Sequence, residues 1–112
     1  MSTPPYSRAR RAGPLLVTAG LLGRGVDDLA EGFEAQLEAA LDNLEDLLAG
    51  EGLTERDVVR LVVYVVDLGD MDVLNRVFSA RFSEPRPART AVEVSALPAG
   101  ARVEIEATAA VA

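Results

Sequence analysis

Arg89 and Glu104 are the side chains of this sequence with the clearest capacity for chemistry. They fall in two alternating stretches, residues 90–94 and 102–107, that read as strands joined through a turn at Leu97-Pro98-Ala99-Gly100. A guanidinium at the mouth of the first strand offers a planar fork for two hydrogen bonds to a carboxylate. A carboxylate in a neighbouring strand could orient or deprotonate a water within hydrogen-bond reach. The ordinary alternative is a surface ion pair of Arg89 with Glu104 or Glu106, and such pairs are common. Glu106 is the same kind of residue two positions on, and periodicity does not choose between the two glutamates.

The rest of the inventory narrows the chemistry. With no Cys and no His, there is no disulfide, thiol nucleophile, Cys/His metal site or histidine acid–base pair. Carboxylates, Arg, Tyr, hydroxyls, backbone groups and water remain. Tyr6 could close a pocket and donate its hydroxyl, or simply pack. Gly20 could leave its backbone open to a ligand, or serve a turn. Asn75 could bond a loop or face solvent. No phosphate-cradling glycine loop is present. The net charge of −7 argues against nucleic acid, which needs clustered basic side chains; Arg8, Arg10 and Arg11 are too few to make a binding face.

These residues need a scaffold, and 112 residues suffice for one small domain, 1–112. A chain of this size buries only about two-thirds of its unfolded surface, so association is a plausible source of further stability. The arginines before Pro14 and the apolar run to Leu22 resemble a signal peptide, but Thr18, Ala19 and Gly20 break the run and no cleavage site follows. Nothing approaches the roughly 20 apolar residues of a membrane span, and the chain reads as cytoplasmic.

The pattern predicts strands over 6–12 and 15–19, turned at Gly13-Pro14, and then a glycine-punctuated loop from Gly20 to Gly25. Asp27 and Asp28 offer caps for a helix with Leu29, Phe33, Leu37, Leu41, Leu44 and Leu48 on one stripe, stopped by Gly50 and Gly52. Residues 58–66 read as a central strand. Asp70 caps a second helix, with Leu74, Val77, Phe78 and Phe82 inward, and Pro85 and Pro87 end it. The expected fold is α+β, a mainly antiparallel sheet with two helices on one face. Alternation puts Thr90, Val92 and Val94 on the helix-covered side and Arg89, Ala91 and Glu93 on the other, beside Arg102, Glu104 and Glu106.

Together these residues resemble the Rid family, the reactive intermediate (enamine/imine) deaminases also called YjgF-like proteins. The likeness runs through Pro5-Tyr6-Ser7, Gly32-Phe33-Glu34-Ala35-Gln36 and Asn75. It is strongest in Pro87-Ala88-Arg89-Thr90-Ala91-Val92-Glu93-Val94, Leu97-Pro98 and Val103-Glu104-Ile105-Glu106-Ala107. The resemblance implies a chorismate-mutase-like fold, a homotrimer with clefts between subunits, and hydrolysis of 2-imino acids such as 2-iminobutanoate and 2-iminopropanoate to 2-oxo acids and ammonia. It places the carboxylate-binding arginine on Arg89, the water-associated glutamate on Glu104, the pocket tyrosine on Tyr6 and the loop glycine on Gly20. No metal or organic cofactor is required. The sequence departs from the family in Leu21, where many members have Gln, in Ala91, where many have Cys, and in a short loop between Gly20 and Gly32. These changes bear on pocket shape and substrate preference and leave the arginine–glutamate core intact.

Two other functions compete. A non-catalytic trimeric module could use Arg89 to capture a small 2-oxo acid. RNA cleavage, a label also given to the family, fits poorly with the acidic balance and the lack of His.

Overall fold

The computed structural model describes residues 3–25 and 28–111. In chain order the elements are β1 (Ala9–Ala12), β2 (Leu15–Thr18), β3 (Leu21–Leu22), α1 (Phe33–Gly50), β4 (Val58–Val65), α2 (Met71–Arg81), β5 (Ala88–Glu93) and β6 (Val103–Ala110). β6 organises the sheet. It pairs antiparallel with β4 on one side and, on the other, with β2 near its end and β3 near its start. The strand order is β1-β2-β6-β4-β5, with β3 beside β6. The sheet is mainly antiparallel, as expected. Its exception is β4 with β5, which run parallel because α2 supplies the crossover that parallel neighbours require.

Val103, Ile105, Ala107 and Ala109 alternate inward along β6, matched by Leu61, Val63 and Val65 of β4. Leu37, Leu41, Leu44 and Leu48 of α1 and Leu74, Val77 and Phe78 of α2 close over them. Burying each of these large side chains stabilises the fold by about 1.5–3 kcal/mol before chain entropy is counted. Among the described residues the opposite face carries no helix. Leu15, Val17 and Val92 are 41%, 42% and 38% exposed there.

Three expectations need correcting. The first helix starts at Phe33 behind Gly32 (φ 87°), not at the aspartates. Asp27 lies outside the described residues. Asp28 instead closes a local turn, its carboxylate accepting from the Leu29 N–H at 2.9 Å, while Leu29 bridges Arg24. Asp70 stands at the start of α2 without a side-chain cap; its carboxylate faces Arg102 at 3.3 Å.

The third correction matters most. β5 and β6 are not neighbours, because β4 lies between them. The faces of β5 are also reversed. Arg89 and Ala91 stand opposite Leu61 and Val63, so they point to the helix-covered side, and Thr90 and Val92 point to the open one. The edge position explains this: at the rim of the helix layer a charged side chain reaches solvent or a partner without entering the core. Glu93, on the same side, accepts from the Leu68 N–H at 2.9 Å.

Candidate functional site

A gap in the β6 ladder shapes the region around Glu104. β2 pairs with β6 through Thr108, and β3 takes over at Ile105 and Glu104. Between them the chain passes Ala19 and Gly20 without pairing. Thr18 bridges the break: its Oγ1 accepts from the Ala107 N–H at 3.0 Å and donates to the Ala19 carbonyl at 2.8 Å. The gap lets Gly20 press on Glu104. A Cβ added at Gly20 would lie 1.9 Å from Glu104 Oε2.

Glu104 is half-buried on the open face, flanked in the ladders by Leu22 and Tyr64. Among the described residues nothing donates to its carboxylate. Burial, and secondarily the charge of Glu106, pushes its pKa above the ordinary glutamate value. The Tyr64 hydroxyl, whose Cα stands opposite Glu104, donates instead to Glu106. That bond and the nearby carboxylates raise the phenol's pKa.

Tyr6 is 63% exposed and lines two open grooves. One, of about 510 Å³, runs past Arg10 and Val17. The other, of about 430 Å³, also includes Gly20, Leu22 and Asn43. The structure thus brings Tyr6 to Gly20, and Gly20 to Glu104.

Arg89 is elsewhere. Its guanidinium lies over the Phe78 ring, 5.0 Å from the centroid, and Phe78 packs on Phe82 with centroids 4.9 Å apart. A cation over an aromatic face is held by the ring's quadrupole. Arg89 is half-buried, desolvation lowers its pKa, and no carboxylate among the described residues reaches it. Its fork is free for an anion. Asn75 is exposed on α2.

Residues 1–111 match the family described as Endoribonuclease L-PSP. The chain belongs to this family, the Rid proteins. A 2-iminobutanoate/2-iminopropanoate deaminase of Salmonella typhimurium is 35% identical over 112 residues, spanning 94% of this chain and 86% of that protein. The protein of that name from Homo sapiens is 32% identical over 108 residues, spanning 94% and 79%. The crystal structure of RidA from an Antarctic Psychrobacter superposes with a TM-score of 0.94 at 41% identity, covering 99% of this chain and 92% of that one. A Thermotoga maritima structure described as a putative endoribonuclease gives 0.90 at 33% identity, covering 96% and 87%. The fold is accordingly the chorismate-mutase-like α+β fold of the Rid proteins. On this Rid chain, Phe78 beneath Arg89 and Tyr64 beside the glutamates are contacts that sequence reasoning missed. Tyr64 had one readable signal, a polar break in an aliphatic strand in phase with Arg60.

Proposed function

We propose that this Rid protein hydrolyses 2-imino acids to 2-oxo acids and ammonia, with 2-iminobutanoate and 2-iminopropanoate as substrates. The observation that carries the reading is the half-buried Arg89, held over Phe78 with no acidic partner among the described residues. A desolvated guanidinium without a partner suits the carboxylate of a small anionic substrate. Glu104, with its raised proton affinity, is suited to take a proton from water and return it to the leaving nitrogen.

The two groups lie on opposite faces of the sheet of one chain, so the reading includes assembly. A homotrimer would set the β5 edge of one protomer against the open face of its partner, covering Leu15, Val17 and Val92. Arg89 of one protomer would then meet Glu104, Gly20 and Tyr6 of the next. Arg89 fixes the substrate, so that attack on the C=N carbon becomes effectively unimolecular. Such imines also hydrolyse unaided in water, and orientation with proton transfer is the catalysis required.

The test is ammonia or 2-oxo acid release from freshly generated 2-iminobutanoate, with wild type beside Arg89→Ala. Acceleration lost in the variant supports the reading. A folded wild type that gives no acceleration leaves the binding module, in which Arg89 captures a 2-oxo acid without turnover.

A further inference from the structure

Glu104 has an ordered neighbourhood that the two-residue reading leaves unused. Leu22 and Gly20 bound it with apolar surface. On the β4 side the adjacent residue is Tyr64, whose hydroxyl could have served Glu104 but is committed to Glu106. Glu106 lies two residues along the same strand face, about 7 Å away. Arg60, the nearest cation on β4, turns to the Thr90 hydroxyl of β5 at 3.0 Å and forms no ion pair with either glutamate. Among the described residues the groups facing Glu104 are therefore one carboxylate and one phenol, with Arg60 further along, and the phenol's hydrogen bond is spent on that carboxylate.

We propose, resting on the deaminase reading, that Tyr64 and Glu106 are positioning residues: the Glu106 charge sets how readily Glu104 accepts a proton and gives it back, and the hydrogen bond from the Tyr64 phenol tempers that charge. The step they serve is hydration of the imine and collapse of the resulting carbinolamine. Water oxygen bonds to the imine carbon, the C=N π pair moves to nitrogen, and Glu104 takes the water proton and delivers it to that nitrogen. In the collapse, the carbinol proton passes through Glu104 to the amine, the C–N bond breaks, the C=O bond forms and ammonia leaves. Glu104 ends as it began, so its proton affinity must suit both directions. A like charge nearby favours the protonated form, and a donor bound to that charge tempers the effect.

Two variants separate the parts. Glu106→Gln removes the charge and keeps an acceptor for Tyr64; Tyr64→Phe keeps the charge and removes its donor. The readouts are the carbon-13 NMR titration of the Glu104 side-chain carboxyl, assigned by its absence in Glu104→Gln, and the pH profile of kcat/KM. Glu106→Gln should lower the Glu104 midpoint by about one pH unit, as expected for a charge at this separation, and carry the acidic limb of the profile with it. Tyr64→Phe should move both the other way. A residue that only supports the fold would not give opposite shifts. A Glu104 midpoint unmoved by Glu106→Gln, or moved in the same direction by both variants, overturns the proposal. A wild type that turns over no imine ends the deaminase reading instead, and the titrations still report whether Glu106 and Tyr64 govern Glu104.

Discussion

Arg89 and Glu104 lie on opposite faces of the sheet: Arg89 stands opposite Leu61 on the helix-covered side, and Glu104 stands opposite Tyr64 on the open side, with β4 between their strands. Two strand spacings alone put about 10 Å between the backbones. A small imino acid cannot touch both within one chain. Each group is nevertheless prepared, the arginine by the Phe78 ring and the glutamate by Gly20, and each lacks a partner among the described residues.

Replacing Arg89 should separate charge from geometry. If Arg89 anchors the substrate carboxylate as proposed, Arg89→Ala should remove two charge-assisted hydrogen bonds, a loss of about 3 kcal/mol or roughly a hundredfold in kcat/KM. Arg89→Lys keeps the charge but loses the fork and the flat contact with Phe78, and should recover only part of that loss. Steady-state kinetics on 2-iminobutanoate checks both. Equal activity in the lysine variant and wild type would show that the planar contact contributes nothing.

Gly20→Ala should uncouple stability from activity. The atoms its methyl would meet are the far end of the Glu104 side chain, Oε2 at 1.9 Å and Cδ at 2.7 Å. A flexible side chain can swing away, so the melting temperature should change little. The displaced carboxylate should lower kcat by about a hundredfold or more, on the order of the contribution of a positioned acid or base. Thermal denaturation and kinetics on the same sample decide it; unchanged kcat would remove Gly20 and Glu104 from the site together.

Thr18 makes a stability prediction. Its hydroxyl spans the break where β6 passes from β2 to β3. Thr18→Val keeps the shape but leaves the buried Ala107 N–H without an acceptor, at a cost of about 1–3 kcal/mol. Thr18→Ser should retain most of the stability. Urea denaturation of the three proteins measures the difference.

Much of this scaffold is readable in the sequence, and the misreadings have physical causes. The apolar stripe of α1 from Phe33 to Leu48 and the glycines that stop it are local signals, and the structure follows them. Leu29 is in phase with Phe33 and extends the apparent stripe, but the Asp28 side chain bonds the next backbone N–H and makes a turn there instead. In β5, polarity alone assigns Thr90 and Val92 to the core side. Register with β4 assigns the opposite, because Phe78 and the Leu68 backbone accommodate Arg89 and Glu93 at the rim. A helix between β4 and β5 already implied parallel neighbours, whereas the placing of β4 between β5 and β6 comes from the long-range pairing of β6 with β4, which no local pattern carries. The Arg89–Phe78 contact links residues that no periodicity connects.

Ionising Glu104 should cost the fold stability. Its pKa is raised in the folded state, chiefly by burial. Well below the ordinary value of 4.5 both states hold the proton and there is no penalty. As pH rises through the interval between the unfolded and folded values, the unfolded state ionises first and stability falls; above the folded value the penalty is constant. Glu104→Gln escapes this, so its melting temperature relative to wild type should rise from acid to neutral pH. A difference that is flat with pH would contradict the burial.

Complementation between inactive variants tests the assembly directly. Arg89→Ala retains Glu104, and Glu104→Gln retains Arg89; each alone should be nearly inactive on 2-iminobutanoate. If a site takes Arg89 from one protomer and Glu104 from its partner, mixed oligomers contain sites in which both residues are native. Unfolding the two variants together and refolding them should then restore a sizeable fraction of wild-type activity, while refolding each alone restores none. With the subunits drawn at random from equal amounts, about one site in four would be intact, since each contributing position is native at that residue half the time. If both residues of a site came from the same chain, every site in the mixture would lack one of them and activity would stay at the level of the separate variants. The fraction recovered therefore separates a site shared between protomers from one contained in a single chain.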